Sequence, residues 1–413
     1  MSAREGFCGG SRARYLLLGS TFYLLVLGTL MVYSASSVAD YLRFEDSFYH
    51  LKRHILFVGI GLLMMYAASK VDYRFLRKAA WPFLGVCIAA LVAVLAIGSM
   101  RWGATRWLDL GFITVQPSEY AKLACLLVAA LSLSQWRARV ITARQLTIRL
   151  GGAFAAVSSL VLFQPDMGTT VMIVSTLYFV LVLGRVKASL LAAGTALGIG
   201  AAGLLMFVAS YREDRVLAFL DPWADPLGDG YQAIQSMLAF GSGGITGMGV
   251  GMSRQKFSFL PAAHTDFVFS IVGEELGLLG SLSVVLAFGV FTYAGLKIAF
   301  ACKDSFGRLV AGGMTATIVL QAIVNMSMVI GLMPITGKPL PLVSYGGTAI
   351  TLTLLSIGVI LSVSSFGAKS QRLSAKRPLI KEPTRASLDE RRRNSGSHLP
   401  RIGTRAAAVR KRA

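Results

Sequence analysis

The sequence predicts an all-α integral membrane protein of about ten transmembrane helices, and three observations carry that prediction. The 413 residues are 54% hydrophobic, with a mean hydropathy of +0.63. Apolar stretches recur almost throughout the chain. Lys and Arg collect in alternate connections rather than in all of them.

Ten stretches approach the ~20 residues that span a bilayer. The first two, Tyr15–Tyr33 and His54–Ser69, lie between the basic segments 1–14 and 70–80. Trp81–Ser99 and Tyr120–Ser134 follow, then the basic segment 135–149. Leu150–Phe163 is short, so its outer end is expected to be drawn into the bundle. Thr169–Gly184 and Leu190–Ser210 flank a short basic connection, 185–189. Asp266–Ala299 is long enough to tilt or to extend past the bilayer, and Leu309–Met333 and Thr348–Ser365 complete the set.

Charge orients the bundle. With a cytoplasmic N-terminus, the inner segments 1–14, 70–80, 135–149, 185–189, 301–308 and the tail from 368 hold 29 of the 41 Lys and Arg. That excess obeys the positive-inside rule and places both termini in the cytoplasm. The net charge of +21 is therefore mostly topology. A nucleic-acid partner is not expected, because no basic folded domain exists. The first apolar stretch is long and lacks a small-residue cleavage site, so it reads as a retained span. Cys8 and Cys302 fall on the cytoplasmic side and Cys87 and Cys125 inside spans, so no external disulfide is expected.

The domain reading is an N-terminal segment 1–14, a polytopic domain 15–367 and a tail 368–413. Between spans seven and eight lies a large outer loop, 211–265. Loops of that length are functional or disordered. Trp223, Tyr231, Phe240, Phe257, Phe259 and Leu260 give it apolar anchors, which argues for order. The tail has no aromatic residue and 14 Lys and Arg against Glu382, Asp389 and Glu390, a composition that reads as disorder.

Gly331–Gly347 reads G-L-M-P-I-T-G-K-P-L-P-L-V-S-Y-G-G. It is too rich in Pro and Gly for a helix, yet it joins two apolar spans. It is either an external hairpin or irregular backbone buried in protein or lining a wet cavity, since hydrocarbon offers N–H and C=O groups no partner. Ionisable residues in or near spans default to functional candidates: Lys122, Glu274 and Glu275, with Glu119, Asp166, Asp266 and Arg106 at the outer boundary. Lys122 follows Glu119 by three residues and shares its face. A Lys122–Glu274 pair across the bundle is expected. Gln116-Pro117-Ser118-Glu119 and Gln164-Pro165-Asp166 both read as helix starts, with Pro where its missing N–H costs nothing. Thr265 can cap the next helix and place Asp266 in its first turn; local sequence allows a plain cap or a general base. Gly241–Gly251 matches no phosphate-loop pattern and reads as a flexible or re-entrant outer segment whose N–H groups could meet a diphosphate.

Several blocks in order make the chain similar to the SEDS family of cell-wall polymerases, the family of FtsW, RodA and SpoVE. They are Arg106–Leu108 (R-W-L), Gln116–Lys122 (Q-P-S-E-Y-A-K), Gln164–Thr169 (Q-P-D-M-G-T), Asp221–Pro222, Gly230–Ser236 (G-Y-Q-A-I-Q-S), the Gly-rich run, Leu260–Phe267 (L-P-A-A-H-T-D-F), Gly273–Gly277 (G-E-E-L-G) and Asn325–Gly347. Gly251–Pro261 resembles FtsW and SpoVE more than RodA. Lys338 departs from the family, which usually has an aliphatic residue there. The resemblance implies an inverting peptidoglycan glycosyltransferase of the bacterial cytoplasmic membrane, enriched at the septum, that joins lipid II units with undecaprenyl diphosphate as leaving group. It implies Asp266 as base, Arg106, Lys122 and Lys256 as cations for the diphosphate, and Glu119 and Asp166 as cavity supports. His264 and Ser344 join the substrate-binding set. Glu274, Glu275, Pro334, Gly337, Pro341, Gly346 and Gly347 are structural. A divalent cation, Mg or Mn, can assist, with no ligand set visible. A class B penicillin-binding transpeptidase and other division proteins are the expected partners. The competing readings are a lipid II flippase, a RodA-type elongation polymerase and a non-catalytic division scaffold.

Overall fold

The computed structural model describes residues 5–101, 104–109, 111, 114–206, 217–257 and 260–376. The chain divides into Met1–Lys369 and Ser370–Ala413; of the second unit only the helical stretch to Lys376 is described. The remainder of the predicted tail, and Phe259 of the predicted outer loop, lie outside the described residues.

The helices are α1 (Glu5–Phe44), α2 (Tyr49–Lys70), α3 (Leu76–Ile97), α4 (Pro117–Arg137), α5 (Ala143–Phe163) and α6 (Met167–Leu183). They continue as α7 (Ala188–Met206), α8 (Tyr231–Gly243), α9 (Val268–Ala301), α10 (Ser305–Val329) and α11 (Gly347–Lys376). The described part of each of the ten predicted stretches falls on a helix, residues 207–210 of Leu190–Ser210 lying outside the described residues, and α8 lies within the predicted outer loop. Among the described residues seven helices are long and apolar enough to cross a membrane: α1, α2, α3, α5, α9, α10 and α11; α6 is apolar but shorter. The expected count of ten is not reached on those grounds. The helix α11 also runs past residue 368, where the sequence suggested disorder.

Local sequence explains most helix ends. Pro117 opens α4 with Glu119 in its first turn and Arg137 in its last, matching the helix dipole. Thr142 and Gln145 form a reciprocal capping box on α5. Asp166 caps α6 and Asp304 caps α10, each accepting a backbone N–H from three residues on. α4 is less apolar than its neighbours, yet every residue from Ala124 to Leu133 is buried. It packs on α3, α5, α6 and α10, and its Glu119 and Lys122 are buried in protein. Helix association inside hydrocarbon rests on close packing of small residues. Gly312 and Gly313 of α10 accordingly receive Leu183 and Val180 of α6.

A small antiparallel meander departs from the all-helical expectation. Strands β1 (Ser99–Arg101), β2 (Ala104–Asp109) and β3 (Thr114–Val115) pair in that order, with Met100 opposite Thr105 and Leu108 opposite Val115. The ribbon carries Arg106 from the end of α3 towards α4.

α9 is broken at Gly277, which has φ 65° and ψ −161°, a region open essentially to glycine alone. The Gly-rich run fills the gap. Met248 and Gly249 donate their N–H groups to the carbonyls of Glu274 and Glu275, both at 3.0 Å, while Leu278 donates to Gly244 at 2.9 Å and Leu279 to Ile245 at 3.2 Å. The run is therefore docked on the break, and its Met248 and Gly249 N–H groups are engaged in stitching a helix rather than open to a diphosphate. Of the predicted loop anchors, Leu260 is buried and Phe240 packs on Phe269 with ring centroids 5.3 Å apart, whereas Trp223 and Phe257 are exposed.

The segment between α10 and α11 is irregular, and its second half is largely buried. Leu340, Leu342 and Val343 are at most 1% exposed. They lie against the middle of α1: a Cβ on Gly28 would sit 2.5 Å from the Val343 Cα. This segment is a wall of the bundle, not an external hairpin, as burial of its backbone groups requires.

Candidate functional site

The heads of α4, α6 and α9, the tail of α10 and the wall segment meet at one place. On α4, the Lys122 ammonium donates to Glu119 Oε2 and to Gln321 Oε1, each at 2.8 Å. Both charges are buried. The expected Lys122–Glu274 pair is not formed; Lys122 finds its acid one turn away and its second partner on α10.

Asp166 is almost fully enclosed. One oxygen accepts the Thr169 N–H at 3.1 Å; the other accepts the Thr169 hydroxyl at 2.6 Å, the Gln116 amide at 3.2 Å and the Lys338 ammonium at 3.1 Å. Burial alone would push this carboxyl up. Lys338 and Arg106 outweigh that and hold it down at about 2. Arg106 bonds the carbonyls of Gln164 and Pro165 at the start of α6, and Glu119 interacts with Lys338 as well as Lys122. The result is a row of alternating sign: Lys122, Glu119, Lys338, Asp166, Arg106.

Asp266 stands two residues before α9. Thr265 does not cap that helix; its hydroxyl donates to the Ala262 carbonyl at 3.1 Å and Phe267 occupies the cap position. The chain folds back here, with the Asp266 N–H also donating to Ala262. The Asp266 carbonyl accepts from Asn325 Nδ2 at 2.7 Å, and the same amide donates to the Lys338 carbonyl at 2.7 Å. The carboxylate faces the wall segment: a Cβ on Gly337 would lie 3.6 Å from its Oδ2.

His264 is flanked by aromatic rings, with centroids 4.6 Å from His50 and 5.8 Å from Tyr345. The Tyr345 N–H donates to the His264 carbonyl at 3.0 Å. His50 in turn is paired with Asp40. Burial, reinforced by His50, pushes His264 down to about 4. The Ser344 hydroxyl accepts the Leu340 N–H at 2.8 Å, closing the wall turn.

Lys256, Glu274 and Glu275 form a second cluster, at the helix break. Glu274 accepts from the Ser253 hydroxyl at 2.5 Å and the Arg254 N–H at 2.8 Å. Glu275 accepts from the Ser34 hydroxyl at 2.6 Å and lies 3.5 Å from the Lys256 ammonium, which also bonds the Gly251 carbonyl. A small cleft opens beside the first cluster, lined by Glu119, Lys122, Met314, Gln321, Pro341 and Leu352 among others. Asp266 does not line it.

Sequence reasoning missed Gln321, Asn325 and the Lys338–Asp166 pair. The signal was available for the first two: a Gln and an Asn four residues apart share one face of an otherwise apolar helix. Among the described residues no group of three His, Cys, Asp or Glu could hold a metal ion.

Fold and site together define a multi-pass helical membrane protein with its polar groups collected around the head of a broken helix. The family model of FtsW/RodA/SpoVE cell cycle proteins matches residues 15–369, and the chain belongs to that family. It is 41% identical over 357 residues to the stage V sporulation protein E of Bacillus subtilis, covering 85% of this chain and 96% of that one. It is 38% identical over 344 residues to the probable peptidoglycan glycosyltransferase FtsW of Geobacter metallireducens, covering 83% and 92%. A chain of a solved peptidoglycan synthase complex, in which polymerization and crosslinking are coordinated, superposes with a TM-score of 0.69 at 31% identity, over 84% of this chain and 96% of that one.

Proposed function

We propose that this chain polymerises lipid II at the outer face of the bacterial cytoplasmic membrane during division. In this reading both termini are cytoplasmic and the protein gathers at the septum with a class B penicillin-binding transpeptidase. Asp266 takes the proton from the 4-hydroxyl of one lipid-linked disaccharide. The oxygen forms a bond to the anomeric carbon of a second, the bond to undecaprenyl diphosphate breaks, and the configuration inverts. A positioned base of this kind supplies ~10²–10⁴-fold. Arg106 and Lys122 hold cationic charge near the leaving diphosphate, while Glu119 and Asp166 keep those cations in place. Lys256, paired with Glu275 at the helix break, is a further cation in the same reading. A divalent cation, if used, would sit mainly on the substrate phosphates with one or two carboxylates, and no step here is routed through it.

The observation that carries the reading is the fixed setting of Asp266. Its backbone is tied to α10 by Asn325, and its carboxylate faces Gly337 of the wall segment, next to the buried and paired Lys338. Purified protein with its transpeptidase partner and lipid-linked precursor tests it. Asp266→Asn should lose glycan synthesis by at least two orders of magnitude, and an Asn variant as fast as wild type removes Asp266 as the base. Glycan formed in detergent separates polymerisation from lipid transport, because detergent has no second leaflet to receive cargo.

A further inference from the structure

We infer that Lys338 is a positioning residue for Asp266, acting through the wall backbone; the catalytic half of this claim rests on the polymerase reading above. Lys338 is buried, 2% exposed. Its ammonium is anchored at the head of α6 by Asp166 Oδ2, 3.1 Å away, and by the Thr169 hydroxyl. The wall packs against that helix start with no slack. A Cβ on Gly168 would lie 2.5 Å from the Thr336 carbonyl oxygen and 2.9 Å from Lys338 Cε.

The backbone of the same residue reaches the reacting loop. Asn325 divides its amide between the carbonyls of Lys338 and Asp266, 2.7 Å to each. Gln321, one turn earlier on α10, donates to the Pro339 carbonyl at 2.9 Å. Pro339 and Pro341 have no N–H to contribute, so side chains from α10 and the Lys338–Asp166 pair do much of the holding. Gly337, immediately before Lys338, borders the Asp266 carboxylate. The head of α6 thus fixes Lys338, the Lys338 carbonyl fixes the Asn325 amide, and that amide fixes the Asp266 backbone. Lys338 does not approach substrate in this scheme, because its ammonium is committed to Asp166.

The test uses the full chain with its partner and compares wild type, Lys338→Met, Lys338→Arg and the charge-neutral Lys338→Met/Asp166→Asn. The first readout is hydrogen–deuterium exchange at the amides of Thr265, Asp266 and Phe267, which bond to Ala262. The Met variant should exchange several-fold faster there, and Arg should restore protection. If Met alone fails to fold, the double variant removes the unpaired charge while still lacking the tether, and it should show the same loss of protection. The second readout is glycan synthesis. Lys338→Met should lower kcat on the order of 100-fold, the effect of a reacting group displaced by about 1 Å, with KM unchanged. Wild-type protection in both the Met and the double variant overturns the inference, and so does a loss expressed in KM alone. If Asp266→Asn proves fully active, the base reading falls while the exchange result still decides whether Lys338 positions that loop.

Discussion

Replacing Gly277 by Ala should undock the Gly-rich run from α9. Two costs can be worked from the structure. The first is conformational: at φ 65° and ψ −161° a residue with a Cβ is strained by ~1–3 kcal/mol. The second is steric and cannot relax cheaply, since the new Cβ would lie 2.4 Å from the Gly247 nitrogen and 2.6 Å from the Ile245 carbonyl oxygen. Relief requires the strand of backbone at 244–249 to move away, which breaks some of the four hydrogen bonds across the gap, each worth ~0.5–1.5 kcal/mol net. Losing two of them and bearing part of the strain gives ~3 kcal/mol, about a hundredfold in the docked-to-undocked ratio. Amide exchange in detergent reads this directly at Met248, Gly249, Leu278 and Leu279. Gly289→Ala is the control: it is helical with nothing within 4 Å of the added Cβ, so it should be neutral or slightly stabilising. Wild-type protection at those four amides in Gly277→Ala would refute the reasoning.

Two other perturbations have definite signs. Lys122→Met removes the cation that Glu119 bonds directly and leaves only Lys338 near it, so the cost should lie below the ~3–5 kcal/mol of a fully unpaired buried charge; adding Glu119→Gln should recover most of the melting temperature, and failure to recover would mean the pair is not the cause. His264 titrates near 4 in its docked setting against 6.5 when exposed, so docking is at full strength above pH 6.5 and weakens as pH falls from 6.5 towards 4. Thermal melting from pH 7 to pH 5 should therefore show a downward slope that is shallower in His264→Phe; an identical slope in the variant would assign it to another group.

Periodicity and apolar length made the helices legible, and the start at Gln116–Glu119 was read at the right place, with Pro117 opening the helix and Glu119 in its first turn; at Gln164–Asp166 the helix begins only at Met167, so Asp166 is its cap and Pro165 stands before it. Pairing was less legible. Lys122 and Glu274 are both ionisable residues of spans, but sequence spacing cannot say which helix faces which, and a nearby Glu119 on the same face outcompetes a distant acid. Thr265 looked like a cap because Ser and Thr before an apolar run usually are; here the chain turns back on Ala262, and the hydroxyl is used inside that turn. The Gly-rich run was read as a flexible or re-entrant segment, yet its target was invisible, because the break it fills lies inside G-E-E-L-G, a stretch whose local sequence otherwise continues a helix. Lys338 stood out by its charge alone, and only the fold brings Asp166 to it from 172 positions away.

The two irregular segments answer one physical demand from opposite ends of one helical piece. Backbone without helix or sheet partners must find them within the protein when hydrocarbon surrounds it. The wall segment finds them at the head of α9, where Tyr345 bonds His264 and Asn325 joins Lys338 to Asp266. The Gly-rich run finds them at the break, on the carbonyls of Glu274 and Glu275. The short piece from Val268 to Leu276 is therefore held at both ends by segments that have no other regular structure. Glu274 and Glu275 add side-chain bonds to Ser253, Arg254 and Ser34, so the second tie also reaches α1. A carboxylate at the head of such a piece cannot drift alone; displacing Asp266 requires releasing the wall, the run or both. That is why substitutions at Gly277 and Lys338, on opposite sides of this piece, should converge on the same exchange signal at Asp266 while leaving its side chain untouched.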